Sequence, residues 1–326
     1  MVDLIWADAY GREMGFIGKA EGDFTIGTPN TFSLTVPKGM GIGAGCYVMI
    51  DGTEYGGMVD GMEFDTAGHG ITLTGPTWHG LLGYQAIVPD DGQAYYTATG
   101  DCNAVMGRIL SRVGLTDRMT ADSGASGFSV SGYQFPRLST QMDAYTGICA
   151  MLASVGAKLR ICYDSKLRKA VLSAVERADY TDDGIDGDRT AFHIRTGRTV
   201  NHLHCLGTGE GAARTRLDLY ADAKGRISKT QSVFGMAHRC EVYENSSSEA
   251  ADLEAEGVKR LTKLQAGMAE CGLSGADNGR YDIGDIVGGT STEHGVSVVT
   301  TVAQKTAYVT SKGITYETKT ALEVQA

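Results

Sequence analysis

Short runs in which apolar and polar residues alternate, separated by glycines, fill both ends of the chain. Examples lie at residues 32–36 and 71–74 near the N-terminus, and at residues 215–220 and 314–318 in the C-terminal part. Alternation with a period of two is the pattern of a half-buried β-strand. Glycine occupies 45 of 326 positions, about twice the roughly 7% of an average protein, and favours tight turns. We therefore expect a mainly β fold, arranged as sandwiches or barrels.

The first β domain predicted by this pattern covers residues 1–87. The runs that close it, at residues 58–63 and 71–74, are similar in order and character to the runs at residues 298–303 and 314–317. Internal similarity of this kind indicates a repeated structural unit. We therefore predict a second β domain that is related to the first.

The pattern changes over residues 88–190, where helical periodicity appears. One helix is expected to start at Asp101 and a second at Thr140, since both residues can cap a helix N-terminus. Alternating runs at residues 158–163 and 169–176 then predict a hairpin. This segment is predicted to be a small α+β domain.

A helical pattern also interrupts the C-terminal β region. Ser246-x-x-Glu249 has the form of a capping box and precedes an amphipathic stretch. We predict a helical insertion over residues 246–278, placed within a second β domain that comprises residues 191–245 and 279–326.

The formal net charge of −10 is concentrated near the N-terminus. Residues 1–100 contain twelve Asp and Glu against Arg12, Lys19 and Lys38. A surface that binds nucleic acid needs clustered basic side chains. The composition therefore argues against a DNA-binding surface, although an acidic wall along which DNA slides is compatible with it.

The cysteines and the N-terminus indicate where the chain is made. The seven cysteines are scattered and include no C-x-x-C pair, which is typical of reduced thiols. Asp3 and Asp8 lie where a signal peptide needs positive charge, and no apolar run reaches the roughly 20 residues that cross a bilayer. We expect a soluble protein that is made in the cytoplasm and has no membrane anchor.

Residues 201–222 contain the most suggestive candidates for chemistry. His202 and His204 lie two positions apart, so on a strand they face the same side and could share a metal ion. Cys205 would face the opposite side and could not complete the set. An ordinary polar strand face explains the histidines better than a metal site does. We predict no metal site, with His202 and His204 as the candidate ligands if one exists.

The glycines of this stretch do not form a nucleotide-binding motif. Gly207-x-Gly209-x-Gly211 lacks the G-x-G-x-x-G spacing, and a strand with Arg214 and Arg216 follows where that motif needs a helix. A tight hairpin loop explains the glycines better.

Other catalytic patterns are missing or unspecific in the sequence. It contains no G-x-S-x-G and no H-E-x-x-H motif. Acid pairs such as Asp282 and Asp285 could serve a glycosidase or bind calcium, but carboxylates are too common in an acidic chain to indicate either. We predict no catalysis and no cofactor.

Four motifs follow one another along nearly the whole chain. They are Gly75-x-x-Trp78-x-Gly80-Leu81-Leu82; Tyr133-Gln134-Phe135-Pro136-Arg137; Asn201-His202-Leu203 with Gly207-x-Gly209-Glu210 and Arg214; and Tyr281-Asp282-Ile283-Gly284-Asp285-Ile286-Val287 followed by residues 298–302. Each motif alone is weak. In this combination and order the chain resembles the tail-hub proteins (minor tail or tail-tip proteins) of siphovirus-type phages and prophages.

The resemblance implies both a fold and an assembly. Such hubs are similar to the baseplate-hub proteins of contractile-tailed phages, with two related antiparallel β-barrel domains and smaller α/β parts. Their role is structural: a homotrimer at the virion tail tip presents six barrels to the sixfold tail tube. The implied partners are further copies of the chain, the distal tail protein, the tail tube, the tape-measure protein and tip or receptor-binding proteins. The tape measure and then DNA would pass through the channel without specific binding.

The resemblance also suggests residues for subunit contacts. Arg214 and Arg216 are candidates for ion pairs across a subunit interface, and Asp60, Glu63 and Asp65 are candidates for the acidic side.

Two other functions stay open at the level of sequence. One is a peptidoglycan-degrading enzyme that uses His202 and His204 or the carboxylates. The other is a carbohydrate-binding protein of the tail tip.

Overall fold

The computed structural model describes residues 3–68, 70–135, 143–181, 190–196, 199–222, 225–266, 269–275, 279–291 and 296–321. Within them the fold is mainly β with four α-helices, which confirms the predicted fold class at that level. No helix of the described residues is both long and apolar enough to cross a membrane. The chain forms two compact units. The first contains the described residues of Met1–Thr190, Ser274–Val287 and Val302–Lys319, and the second those of Ala191–Leu273, Gly288–Thr301 and Thr320–Ala326.

The elements of the N-terminal part are β1 (Leu4–Ala7), β2 (Glu13–Ile17), β3 (Glu21–Ile26), β4 (Thr31–Pro37), β5 (Tyr47–Ile50), β6 (Gly56–Met58), β7 (Gly61–Glu63), β8 (Gly70–Pro76), α1 (Trp78–Gly83), β9 (Tyr96–Asp101), α2 (Cys102–Arg112), β10 (Met119–Ala121), β11 (Ser129–Phe135), α3 (Ala144–Ala153), β12 (Ala157–Asp164) and β13 (Lys169–Glu176). The C-terminal part continues with β14 (Thr190–Thr196), β15 (His202–Leu206), β16 (Arg216–Ala221), β17 (Ile227–Ser228), β18 (Cys240–Glu244), α4 (Ala250–Ala266), β19 (Ala269–Gly275), β20 (Ile286–Ser291), β21 (Val296–Thr310) and β22 (Gly313–Ala321).

Two antiparallel β layers enclose a hydrophobic core in the first unit. One has the strand order β2-β1-β5-β6, and the other contains β3, β4, β8 and β7 in that order. Residues 305–309 of β21 extend the second layer by pairing with β3. Phe24, Leu34, Val48 and Leu73 are fully buried between the layers, as the period-two alternation predicts. Closure of these sheets into a barrel stays a prediction.

The two helices and the hairpin predicted within residues 88–190 are present. Asp101 caps α2, because its Oδ1 accepts a hydrogen bond from the backbone N–H of Asn103 at 2.9 Å. The cap predicted at Thr140 is corrected: α3 begins at Ala144, and Asp143 accepts from the backbone N–H of Thr146 at 2.8 Å. Thr140 itself lies outside the described residues.

The α+β part shares its core with the preceding β part. Trp78 and Leu82 of α1 are buried in the same cluster as Ile109 of α2 and Ile148 of α3. Side chains from both sides of residue 87 therefore stabilise each other. The four-part domain division made from the sequence stays a prediction.

In the second unit, α4 covers one face of a four-stranded sheet with the order β17-β16-β15-β18. Cys205 of β15 and Leu219 of β16 are buried against Leu253 and Leu261 of α4. Gly257 permits this packing, because a Cβ at that position would lie 2.8 Å from both Cys205 Sγ and Leu219 Cδ1.

The sequence also predicts a strand over residues 226–233 in this unit, and that prediction is wrong in extent. The strand expected over residues 226–233 is reduced to Ile227–Ser228, and the chain then turns through a short 3-10 segment at Gly235–Ala237. The Ser228 hydroxyl accepts a hydrogen bond from the backbone N–H of Thr230 at 3.3 Å, and local side-chain bonds of this kind compete with strand pairing. Within the predicted helical insertion, α4 ends at Ala266 and Ala269–Gly275 forms β19.

Candidate functional site

A cluster of two imidazoles and one carboxylate lies on β15 and β16. Nε2 of His202 and Nδ1 of His204 each lie 2.7 Å from the same atom, Oδ1 of Asp218. The three atoms all lie within 4.8 Å of one another. The two histidines thus face one side of the strand, as predicted, and Asp218 is a third member that no pattern in the sequence indicated.

The register of the hairpin places these side chains together. His204 is directly opposite Asp218, and His202 is directly opposite Tyr220. Opposite residues, and residues two apart on one strand, share a face of a sheet. Since Cys205 and Leu219 point toward α4, the cluster lies on the other face. The sequence predicts that these two strands form a hairpin. It does not predict the register, and the register is what places Asp218 opposite His204.

A third imidazole supports the cluster from the loop before β18. Nε2 of His238 lies 2.9 Å from Nδ1 of His202. Asn201 fixes the backbone on both sides of His238: its Nδ2 donates to the carbonyl of Ala237 at 2.8 Å, and its Oδ1 accepts from the N–H of Arg239 at 2.9 Å. Asn201 and His202, which belong to one of the four motifs, therefore share a local structural role.

The hydrogen bonds favour a charged carboxylate at the centre of the cluster. Burial opposes the ionised form of Asp218, but the hydrogen bonds from His204 and His202 outweigh it and hold the pKa of Asp218 below its usual range. An ionised carboxylate accepts from both rings, which leaves Nδ1 of His202 as an acceptor for the Nε2–H of His238. The side chains of His202, His204 and Asp218 are 14%, 32% and 39% exposed, so solvent ions reach the cluster.

The neighbouring glycine loop is explained by packing within the chain. A Cβ at Gly207 would lie 2.6 Å from the carbonyl oxygen of Ser248, and Gly209 has a φ of +96°. Arg214, which follows the loop, donates to the Gly207 carbonyl at 3.1 Å and forms an ion pair with Glu244 at 2.5 Å. These contacts agree with the predicted tight hairpin loop.

The acid pair of the fourth motif belongs to an ionic network in the first unit. Lys158 Nζ lies 2.6 Å from Asp285 Oδ1 and 3.4 Å from Asp282 Oδ2, and Lys305 Nζ lies 2.9 Å from Asp282 Oδ1. Burial raises the pKa of Asp282, but Lys305 and Lys158 outweigh it and hold that pKa below the usual range. Both carboxylates are paired with lysines. The ion pairs explain why Asp282 and Asp285 lie here, so neither a catalytic nor a calcium-binding role is needed to account for these carboxylates.

The fold is similar to those of two solved tail proteins. The 43 kDa tail protein of prophage MuSo2 from Shewanella oneidensis has a TM-score of 0.57 and 12% sequence identity, over 98% of this chain and 98% of that chain. The tail protein from Neisseria meningitidis MC58 has a TM-score of 0.52 and 13% identity, over 98% and 96%. The chain has the fold of prophage tail proteins. No protein-family model and no curated protein sequence matches it.

The tail-protein fold gives the first motif a physical explanation. A Cβ at Gly75 would overlap the carbonyl oxygen of Met58, and a Cβ at Gly80 would overlap that of Asn30. Trp78, between the two glycines, is buried in the core. The motif therefore marks two close approaches of backbone segments around one large aromatic side chain.

The candidate interface residues of this tail-protein fold are mostly on the surface. Asp60, Glu63 and Asp65, in and beside β7 of the first unit, are exposed, and so is Arg216 on β16 of the second unit. Arg214 differs, because its guanidinium is half-buried and paired with Glu244 of the same chain.

Proposed function

We propose that this protein is the trimeric hub of a siphovirus-type phage tail, a structural protein of the virion tail tip. The observation that carries the proposal is the similarity to a prophage tail protein over 98% of both chains. Similarity over full length, rather than over one domain, supports a shared architecture. A phage tail contains several different proteins. The four motifs, which occur in order along this chain, favour the hub as the one to which it corresponds.

The proposed architecture has two related β-barrels. They would comprise residues 1–87, and residues 191–245 with 279–326, with the α+β domain at residues 88–190 and the insertion at residues 246–278. Three copies would then present six barrels to the sixfold tail tube and the distal tail protein. The side of the trimer that faces away from the tail tube would bind tip or receptor-binding proteins.

The charge of the first domain supports a channel that does not retain its cargo. Twelve acidic residues against three basic ones over residues 1–100 repel a polyanion at the wall of a conduit. We infer that the tape-measure protein and DNA pass through the trimer without specific binding during ejection. The hub is assembled in the host cytoplasm and carries out no catalysis.

The subunit interface is proposed to pair Arg216 with the acidic group Asp60, Glu63 and Asp65. Arg216 is exposed on a strand, and all three carboxylates are exposed, so each side is available to another copy. Arg214 contributes less directly, because Glu244 already satisfies its guanidinium.

Mass measurement and imaging of tail particles test this function together. Purified tail tips are analysed by native mass spectrometry, and whole tails by electron microscopy after a peptide tag on this chain is labelled with gold. We expect three copies per tip and label at the distal end of the tube. Six copies per tip, or gold label along the length of the tube, would overturn the proposal that the protein is a trimeric hub. Clearing of a peptidoglycan gel by the purified chain would instead support the hydrolase.

A further inference from the structure

We propose that His202, His204 and Asp218 bind a divalent transition-metal ion such as zinc, and that His238 orients the ring of His202. This site is independent of the tail function. The sequence-based prediction of no metal site weighed only His202, His204 and Cys205, and Cys205 lies on the other face of the strand. The hairpin register adds the carboxylate, and three donors on one rigid sheet face are sufficient for a zinc site with an open position.

The distances in the cluster are close to those that coordination needs. Zinc binds imidazole nitrogen and carboxylate oxygen at about 2.0–2.2 Å, so neighbouring ligand atoms of a tetrahedral site lie about 3.4 Å apart. The two nitrogens lie 2.7 Å from Asp218 Oδ1, and all three atoms lie within 4.8 Å. Small side-chain rotations convert the hydrogen-bonded cluster into the coordination geometry, without any change in the pairing of β15 and β16.

The protons of the imidazoles can rearrange to accept the ion. A neutral imidazole holds one proton on either nitrogen. When His202 holds it on Nδ1, Nε2 is free for the metal and Nδ1–H donates to His238 Nε2, which already lies 2.9 Å away. His204 frees Nδ1 by holding its proton on Nε2. A second partner for the outer ring nitrogen is the usual arrangement around metal-binding histidines.

The donor set selects the class of ion. Two imidazoles with one carboxylate suit zinc, cobalt, nickel or copper, whereas magnesium and calcium prefer oxygen ligands. Because the three side chains are 14% to 39% exposed, the fourth coordination position is open to water or to a group from another chain.

Zinc titration of the metal-free full-length chain tests the site. Cys240, an exposed thiol opposite His202 on β18, is replaced first (Cys240→Ser) so that the thiolate beside the site cannot serve as a ligand. We expect one zinc per chain by calorimetry. His202→Ala and Asp218→Asn should each lose at least about 100-fold in affinity, and His238→Ala about tenfold, as expected for an outer partner. Asp252→Asn, an exposed carboxylate on the first turn of α4, is the matched control and should bind zinc normally.

Two readouts decide the outcome independently of variant folding. Circular dichroism in the presence of EDTA shows whether each variant keeps the fold. Crystals of the unsubstituted chain soaked in zinc should give an anomalous peak between Nε2 of His202, Nδ1 of His204 and Oδ1 of Asp218. No zinc binding by the Cys240→Ser chain, equal affinity in Asp218→Asn, or an anomalous peak elsewhere would overturn the proposal.

Discussion

Lys158 and Asp285 form a buried ion pair in which Nζ lies 2.6 Å from Oδ1, with the lysine 10% and the aspartate 1% exposed. The carboxylate also accepts from the backbone N–H groups of Ala178 and Asp282, each at 2.9 Å. Residues 127 positions apart are thereby joined inside the first unit. Such a pair tolerates the loss of one partner poorly, because the other remains as an uncompensated buried charge.

Removal of the lysine should destabilise the first unit. We expect Lys158→Met to lower its free energy of unfolding by about 3–5 kcal/mol. Both tryptophans, Trp6 and Trp78, belong to this unit, so fluorescence during urea unfolding follows it. Lys166→Met, at an exposed turn position, is the control and should change stability by less than about 0.5 kcal/mol. Equal effects of the two substitutions would contradict the importance of the pair.

Two glycines of one short helix should respond oppositely to alanine. A Cβ at Gly80 would meet the backbone carbonyl of Asn30, whereas a Cβ at Gly83 would have no atom within 4 Å. We expect Gly80→Ala to destabilise the first unit by about 1–3 kcal/mol through overpacking. Gly83→Ala should leave it unchanged or stabilise it by up to about 1 kcal/mol, because alanine is the better helix former. The same fluorescence-monitored urea unfolding measures both, and a neutral Gly80→Ala would show that the backbone can move apart.

The buried imidazole of His79 should make the first unit sensitive to acid. Burial lowers the pKa of His79 to about 3 from an ordinary value of 6.5, and its Nδ1 has no hydrogen-bond partner among the described residues. Between these values the unfolded chain binds a proton that the folded chain does not. Stability is therefore complete above pH 6.5 and is lost as the pH falls toward 3, by about 1.4 kcal/mol per pH unit from this group.

Comparison with His79→Leu isolates that contribution. Between pH 7 and pH 4, the unfolding free energy of the unsubstituted chain should fall relative to that of the variant. The difference between the two unfolding free energies should change by about 3 kcal/mol over this range. Curves that stay parallel would mean that His79 takes up its proton without unfolding.

Charge reversal should test the proposed subunit interface. We expect Arg216→Glu to weaken trimer formation by about fivefold per contact, since an exposed ion pair contributes at most about 1 kcal/mol. Adding Glu63→Lys should restore part of the loss. Lys259→Glu, on the exposed side of α4, is the control for net charge and should not affect assembly. Analytical ultracentrifugation over a range of concentrations compares the unsubstituted chain with these three variants. If the double variant assembles no better than Arg216→Glu alone, this pairing is excluded.

Local sequence determined much of the secondary structure. Asp101 caps α2 as predicted because capping depends on a side chain and the two or three N–H groups that follow it. Alternation over residues 32–36 and 71–74 yields β4 and β8 because a period of two fits a half-buried strand. Residues 229–233 did not follow the strand prediction, because the Ser228 hydroxyl bonds to the backbone N–H of Thr230 and turns the chain there.

Contacts between distant residues were decided by the tertiary structure alone. The histidines of β15 were visible in the sequence, but Asp218 joins them only because the hairpin register places it opposite His204. Asp282 and Asp285 carried no specific signal, yet Lys158 and Lys305 surround them in the folded chain. Local patterns record which conformation a segment prefers. Which side chains meet depends on strand register and chain topology, and these are set by packing of the whole unit.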